Sequence, residues 1–385
     1  MLFMSRSAES LKVIIYKGVV LMTDDTIRDE AIQSPMDKKI SRSGVLKAGA
    51  VAAAGLAGAS AWPRGTMAAP VRISKKYRIA IVPKGLDNPV FNTANWGGAW
   101  RAKELGDVDF TYTGSAVSDA APQVTVMDGL IAAGYDGIGI SCNAPAPLQQ
   151  PIDFAIKKGI TVMTWDSDSP KSKRPVFYGV DGYACGQLES KLVNGWAAGK
   201  PGKVWVLSGD PGADNLNLRV KGVKNALAKN LTIVETAYAA NDSAQICIQD
   251  IELAVTKYPD LTAMIWVGGW PLFTNATLPN LTKATKAGLK VVSFDYLAAE
   301  LPWVQRGQIE ALVGQDYWGW GYESVQIIHE LLKGKKFPAF VPQASPVVTK
   351  ANIGPYVHLW QVAKDPASAA KAFGALLHDV PIMGK

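Results

Sequence analysis

From Tyr77 onward the chain alternates between short apolar runs and longer stretches whose apolar positions recur at helical spacing. The apolar runs predict strands at Tyr77–Val82, Phe110–Thr113, Gly137–Ser141, Thr161–Trp165, Val176–Val180, Lys203–Ser208, Thr232–Tyr238, Ala263–Val267, Lys290–Phe294 and Ile309–Gly314. Most are near-continuous in Val, Ile, Ala and Trp, the signature of strands covered on both faces. Between them the pattern predicts helices over Thr93–Leu105, Pro122–Ala133, Pro147–Lys158, Tyr183–Ala198, Asn215–Lys229, Ser243–Lys257, Phe273–Ala287 and Trp318–Leu332. Several of these stop at a glycine, as at Gly134, Gly159, Gly199, Gly288 and Gly334, which suits a left-handed helix end. Strands alternating with helices at this spacing build parallel, doubly wound sheets. Ten strands are too many for one short sheet in the space left after Tyr77, so two similar α/β halves are expected.

Ahead of this region the pattern changes. A basic stretch (Lys38, Lys39, Arg42, Lys47) precedes an Ala/Gly-rich apolar run from Ala48 to Ala59, and Ala59-Ser60-Ala61 offers a small-x-small cleavage pattern. That layout is a secretory signal, spanning 36–61. A second possible cut follows Ala68. The apolar run is too short for a membrane span. Ser41-Arg42-Ser43-Gly44-Val45-Leu46-Lys47 is close to the twin-arginine export pattern but has Ser43 in place of the second arginine, so the export route stays open between twin-arginine and general secretion. The acidic residues Asp24, Asp25, Asp29 and Glu30 are foreign to such a signal, and 1–35 reads as an extension arising from start-site choice, with translation beginning at Met36.

Composition narrows the function classes. The net charge is +7, of which +5 falls beyond residue 61 (32 Lys/Arg against 27 Asp/Glu), and no long basic run appears, so a nucleic-acid partner is not expected. The three cysteines, Cys142, Cys185 and Cys247, lack C-x-x-C spacing and imply neither a zinc site nor a disulfide framework.

Ligands of doubly wound sheets bind beyond the carboxyl ends of the strands. The residues there include Asp166, Asp168, Asp181, Asp214, Asp295 and Asp316, the amides Asn88, Asn215, Asn217 and Gln315, and the rings of Phe91, Trp165, Trp270, Tyr296 and Tyr317. Carboxylates and amides satisfy hydroxyl groups, and flat aromatic faces cover C–H surfaces. A polyhydroxylated ligand needs both.

Five segments carry a family resemblance. Ile79-Ala80-Ile81-Val82 followed by Asp87-Asn88-Pro89-Val90-Phe91 resembles a first strand with its N-P-x-F loop. Gly134-Tyr135-Asp136-Gly137-Ile138 resembles the approach to a third strand, and Ile160–Asp166 an I-P-V-x-x-x-D strand. Arg219-Val220-Lys221-Gly222-Val223 is similar to an R-x-x-G-F helix start, and Val291-Val292-Ser293-Phe294-Asp295 to V-V-G-F-D. In this order they resemble the sugar-binding type I periplasmic binding proteins, the ribose-binding-protein-like group, over about Tyr77–Ile353. The resemblance implies an α/β fold of two doubly wound parallel-sheet lobes joined by a three-crossing hinge. Lobe 1 would take 76–180 plus 316–343, lobe 2 would take 181–315 plus 344–354, and 355–385 would be a C-terminal extension. It implies a ligand site of Asn88, Phe91, Trp165, Asp166, Asn217, Trp270, Asp295 and Gln315, with crossings near Val180–Asp181, Gln315–Asp316 and Pro342–Ser345.

Three departures stand out. Ser167 and Asn217 occupy positions where the family often has sugar-clamping arginines, and Gly268-Gly269 replaces an Asn-Asp pair. Loss of two bidentate donors points to a ligand other than simple ribose and a larger share for aromatic stacking. The implied role is capture of a sugar or polyol in the periplasm by a monomer that delivers it to the membrane permease of an ABC transporter, with no cofactor, no metal and no catalytic residue. Two alternatives remain. Asp166 and Asp295 could serve glycoside hydrolysis as a carboxylate pair, although no histidine lies at a strand end and no G-x-S-x-G, H-E-x-x-H or P-loop occurs. A receptor-coupled sugar sensor fits the same fold. A sugar-responsive repressor would need a helix-turn-helix before Tyr77, where the sequence is signal-like.

Overall fold

The computed structural model describes residues 13–16, 19–22 and 76–377. In the N-terminal unit, Val13–Tyr16 (β1) pairs antiparallel with Val19–Met22 (β2). The secretory signal expected at 36–61 lies outside the described residues.

The second unit holds two six-stranded sheets. The first contains Tyr77–Val82 (β3), Val108–Tyr112 (β4), Gly137–Ile140 (β5), Thr161–Trp165 (β6), Phe177–Gly179 (β7) and Phe340–Pro342 (β13), in the order β13-β7-β6-β5-β3-β4 and parallel throughout. The second contains Gly202–Ser208 (β8), Leu231–Tyr238 (β9), Leu261–Trp266 (β10), Lys290–Phe294 (β11), Ala311–Val313 (β12) and Val347–Thr349 (β14), in the order β14-β12-β11-β10-β8-β9. Here the edge strand β14 runs antiparallel to β12. The two orders are the same winding, with the first strand of each sheet second from one edge.

The near-continuous apolar strands are two-faced. In β3, Ile79 and Ile81 join one core cluster, while Ala80 and Val82 join another with Met127, Leu130 and Leu148. The first layer lies under Asn92–Leu105 (α1) and Tyr317–Leu332 (α9), the second under Ala120–Ala132 (α2) and Pro145–Lys157 (α3). Helices α1 and α9 cross almost backbone to backbone: a Cβ built on Gly321 would stand 1.8 Å from the carbonyl oxygen of Ala94. In the second lobe Gly182–Ala197 (α4) and Asp214–Ala226 (α5) do the same, with a Cβ on Gly222 falling 2.1 Å from Tyr183 O.

The chain passes between the lobes at 180–181, 314–316 and 343–346. These crossings are stitched together: Gln343 N donates to Gly179 O (2.9 Å), Gln343 Nε2 to Asp316 O (2.6 Å) and Ser345 Oγ to Gly314 O (2.9 Å).

Some elements differ from the sequence expectation. The helix expected over Ser243–Lys257 is observed at Ala244–Lys257 (α6), whereas the one expected over Phe273–Ala287 is confined to Pro279–Lys286 (α7), preceded by a 3-10 turn at Trp270–Leu272. Pro279 starts a helix readily but pushes the residue before it out of the helical region. The three-residue strands β13 and β14 and the short helix Leu301–Gln305 (α8) were not anticipated, because segments this short carry no readable period. Beyond β14 come Gly354–Val362 (α10) and Pro366–Leu377 (α11).

Candidate ligand-binding site

Each lobe ends a five-residue inner strand on an aspartate in left-handed backbone conformation. Asp166 follows β6 with φ 59°, and Asp295 follows β11 with φ 75°. Aspartate tolerates this region better than most side chains, and such positions gather where a side chain must be re-aimed. At Asp166 the chain makes a γ-turn, with Ser167 N donating to Trp165 O at 2.6 Å.

The two carboxylates have different partners. Asp166 accepts from Ser141 Oγ (2.7 Å) and, across the cleft, from Asn215 Nδ2 (3.2 Å). Asp295 accepts from Gln315 Nε2 (3.0 Å), Tyr317 Oη (3.2 Å) and Gly269 N (3.4 Å). Gln315 in turn accepts from Arg219 Nη2 (3.1 Å), whose Nη1 donates to Val267 O (2.9 Å). Arg219 is 2% exposed, and its guanidinium carbon sits 3.6 Å from the centre of the Phe294 ring. Burial pushes the Asp295 carboxyl above its ordinary value, opposed by the Arg219 charge and the Gln315 hydrogen bond. Beside Arg219, Glu189 is wholly buried, its oxygens have no hydrogen-bond partner among the described residues, and burial drives its carboxyl far up.

Lys84 and Asn215 clasp the lobes. Lys84, just past β3 and 3% exposed, donates from Nζ to Asn215 Oδ1 at 2.9 Å. Asn215 lies in the first turn of α5 in the opposite lobe, so one amide joins Lys84 and Asp166 to the second lobe. Next to this clasp the cleft opens into a cavity of ≈ 680 Å³, lined from the first lobe by Asn88 and Ser118 and from the second by Asn241, Asp242, Trp270 and Phe273.

Of the residues expected at the site, Asp295 and Gln315 are hydrogen-bonded to each other, Asp166 is bonded to Asn215 across the cleft, and Asn88 and Trp270 line the cavity; Asp166, Asp295 and Gln315 are buried and do not line it. Asn88 also caps its own 3-10 turn by accepting from Val90 N (3.1 Å). Phe91 and Trp165 are placed differently. Both are buried in an aromatic cluster with Trp320, at ring separations of 5.5–5.7 Å, and neither lines the cavity.

Asn217 is corrected: it is exposed and its Nδ2 donates to Pro211 O (2.9 Å). Residues two apart on a helix point roughly 200° apart, whereas 215 and 219 share a face, so Asn215 faces the cleft beside Arg219. That spacing was readable once α5 was placed. Lys84, Ser141 and Tyr317 were signalled only by lying at strand ends or helix starts.

Three other strand-end acids have structural partners. Asp168 is gripped by Arg174 from two nitrogens and by Thr164 Oγ1. Asp181 caps α4 through Ala184 N. Asp316 caps α9 through Gly319 N and accepts from Tyr178 Oη (3.2 Å), and burial raises its pKa to about 6. The folded state therefore holds a proton there that the unfolded state, near 3.8, has already released. Stability falls as pH rises from about 4 to 6 on this account. In Asp316→Asn that part of the slope should vanish, measured as urea unfolding free energy at pH 4, 5, 6 and 7; an unaltered slope would mean that other groups set it.

The comparisons agree with this geometry. A family model for a periplasmic binding protein domain matches residues 79–336. The xylose/arabinose-binding protein XylF of Sulfolobus acidocaldarius is 25% identical over 300 residues, covering 73% of this chain and 73% of that protein. Among solved structures, an ABC transporter solute-binding protein of Burkholderia graminis in complex with D-arabinose superposes with TM-score 0.69 at 28% identity, covering 73% of this chain and 97% of that one. The glucose-galactose binding protein GanP of Geobacillus stearothermophilus gives TM-score 0.67 at 25% identity, covering 73% and 99%. With its two like-wound lobes, an aspartate at the equivalent strand end of each and a family match across both lobes, this chain belongs to the periplasmic binding protein family.

Proposed function

We propose that the protein captures a sugar or polyol between its lobes and delivers it to the permease of an ABC importer. One observation carries the reading: two buried aspartates stand at equivalent strand ends, one in each lobe, where ligands of doubly wound sheets bind, and a ligand that engages both favours the closed form. The cavity lined from both lobes falls in the usual range for small-molecule pockets and combines amide, hydroxyl and carboxylate groups with Trp270 and Phe273. The relatives support the ligand class, since XylF is named for xylose and arabinose and the Burkholderia protein was solved with D-arabinose.

In this reading the site comprises Asn88, Asp166, Trp270, Asp295 and Gln315, joined by Lys84, Asn215 and Arg219, while Phe91 and Trp165 back it from the core. The lobes are 76–180 plus 316–343 and 181–315 plus 344–354. The signal-like 36–61 segment supports work in the periplasm after export, and the reading takes the protein to act as a monomer.

Thermal-shift measurements on the purified protein with pentoses, hexoses, polyols, nucleosides and amino acids test the assignment. A ligand present at 100 times its Kd stabilises by about 2.7 kcal/mol, a clear upward shift. Shifts confined to nucleosides or amino acids would move the ligand out of the carbohydrate class. Turnover of a bound glycoside would replace capture by hydrolysis.

A further inference from the structure

The C-terminal extension touches both lobes. Helix α10 continues from β14 and packs on the second: Tyr356 meets Tyr296 edge-on at 5.2 Å, and Trp360 Nε1 donates to Tyr296 O at 2.8 Å. The chain then turns at 363–365, where Asp365 receives Ala367 N and Ser368 N. Helix α11 lies on the first lobe, against α1 and α9. Its Phe373, 1% exposed, stacks on Trp318 of α9 at 6.2 Å with 18° between the planes. Trp360 and Phe373 meet edge-on at 5.7 Å, so the two anchors lock to each other. The chain thus passes between the lobes a fourth time, outside the 79–336 family match.

This fourth link reaches the site. Tyr296 directly follows Asp295, and its amide donates to Tyr317 Oη, which also bonds the Asp295 carboxylate. Helix α9 is therefore tied to Tyr296 by two routes, through Tyr317 from the hinge and through Trp318, Phe373 and Trp360 from the extension. Hinge rotation that separates α9 from the Tyr296 loop has to break one of the anchors. A hinge of three strands alone has no such restraint.

We propose that the α10–α11 hairpin is an interlobe strap that limits opening, raises the closed population of the empty protein, and so tightens ligand capture. The idea rests on the two-lobe capture reading. A binding protein whose competent state is fractionally populated has an apparent Kd divided by that fraction, so loosening the strap weakens binding without touching a ligand contact.

The experiment measures an interlobe distance in the ligand-free protein. Cys142, Cys185 and Cys247 are buried, so spin labels placed through Lys157→Cys and Lys229→Cys, both exposed and on opposite lobes, report selectively. Three proteins are compared: the full chain, a chain ending at Ala363 that keeps α10, and the full-length Phe373→Ala variant. The strap predicts a distance distribution that broadens and shifts by several ångströms on truncation, less in Phe373→Ala, with D-arabinose or the best sugar of the thermal panel binding roughly 10-fold more weakly to the truncated chain. Superimposable distributions in all three proteins overturn it. If the truncated chain loses its cooperative melt, Phe373→Ala alone decides by the same criterion. Shifted distances with no sugar bound by any of them would uphold the strap and remove the sugar reading; unshifted distances with equal sugar affinities would do the reverse.

Discussion

Asp295→Asn is expected to weaken sugar binding by about 10- to 100-fold, the range for losing one hydrogen bond to a charged group. The substitution keeps the shape of the side chain and removes its charge, together with the oxygen that accepts the long bond from Gly269 N. Asparagine also tolerates the left-handed backbone that Asp295 adopts at φ 75°, and its oxygen still receives Gln315 and Tyr317. What disappears is the negative end of the Arg219–Gln315–Asp295 relay, the part able to accept strongly from a ligand hydroxyl. Asp166→Asn, at φ 59° in the other lobe, should behave in the same way if the ligand bridges both. Titration calorimetry with the best sugar of the panel measures the effect. Affinity unchanged in Asp295→Asn would take this carboxylate out of the site.

Arg219→Met is expected to act on the fold more than on the ligand, at a cost of about 3–5 kcal/mol, the usual penalty for removing one partner from a buried charged group. The guanidinium lies over Phe294, donates to Val267 O and Gln315, and is the cation facing buried Asp295 and Glu189. Without it the buried Asp295 and Glu189 carboxyls, both pushed up by burial, lose the charge that favours their ionised forms. Lysine does not rescue, because a point charge cannot stack and fork at once. The melting temperature should fall by on the order of 10 °C. Adding Glu189→Gln should recover part of the loss, because it removes one of the stranded acids, and a double-mutant cycle gives the coupling. A loss under about 1 kcal/mol in Arg219→Met would show that the buried cation is not needed.

Much of this fold was legible because its inner strands are buried on two faces. Runs such as Ile79–Val82 and Val291–Phe294 have no solvent side, so they read directly as strands, and the expected ranges for β3, β6 and β11 match the observed ones. Edge strands lack that mark: β13 is only half-buried, and its three residues carry no period. The site divides along a similar line. Asp166 and Asp295 could be found because a strand end is a fixed place in this topology. Asn217 could not be separated from Asn215, because which of them faces inward depends on where α5 begins and how it is rotated against α4. Phe91 and Trp165 stand at strand ends as expected, yet their rings turn to Trp320, a partner more than 150 residues away in sequence.

By itself the sequence determined the alternation of strands and helices, the two-lobe winding and the strand-end positions of the two aspartates, since these follow from local apolar periodicity and from the rule that ligands meet parallel sheets at their carboxyl ends. Tertiary structure alone decided which amide spans the cleft, that Lys84 joins it, that Arg219 is a buried counter-charge, and that the last two helices tie the lobes together a fourth time. Each of these depends on a contact between segments far apart in the chain, with a geometry set by helix rotation and lobe packing, which local pattern does not encode.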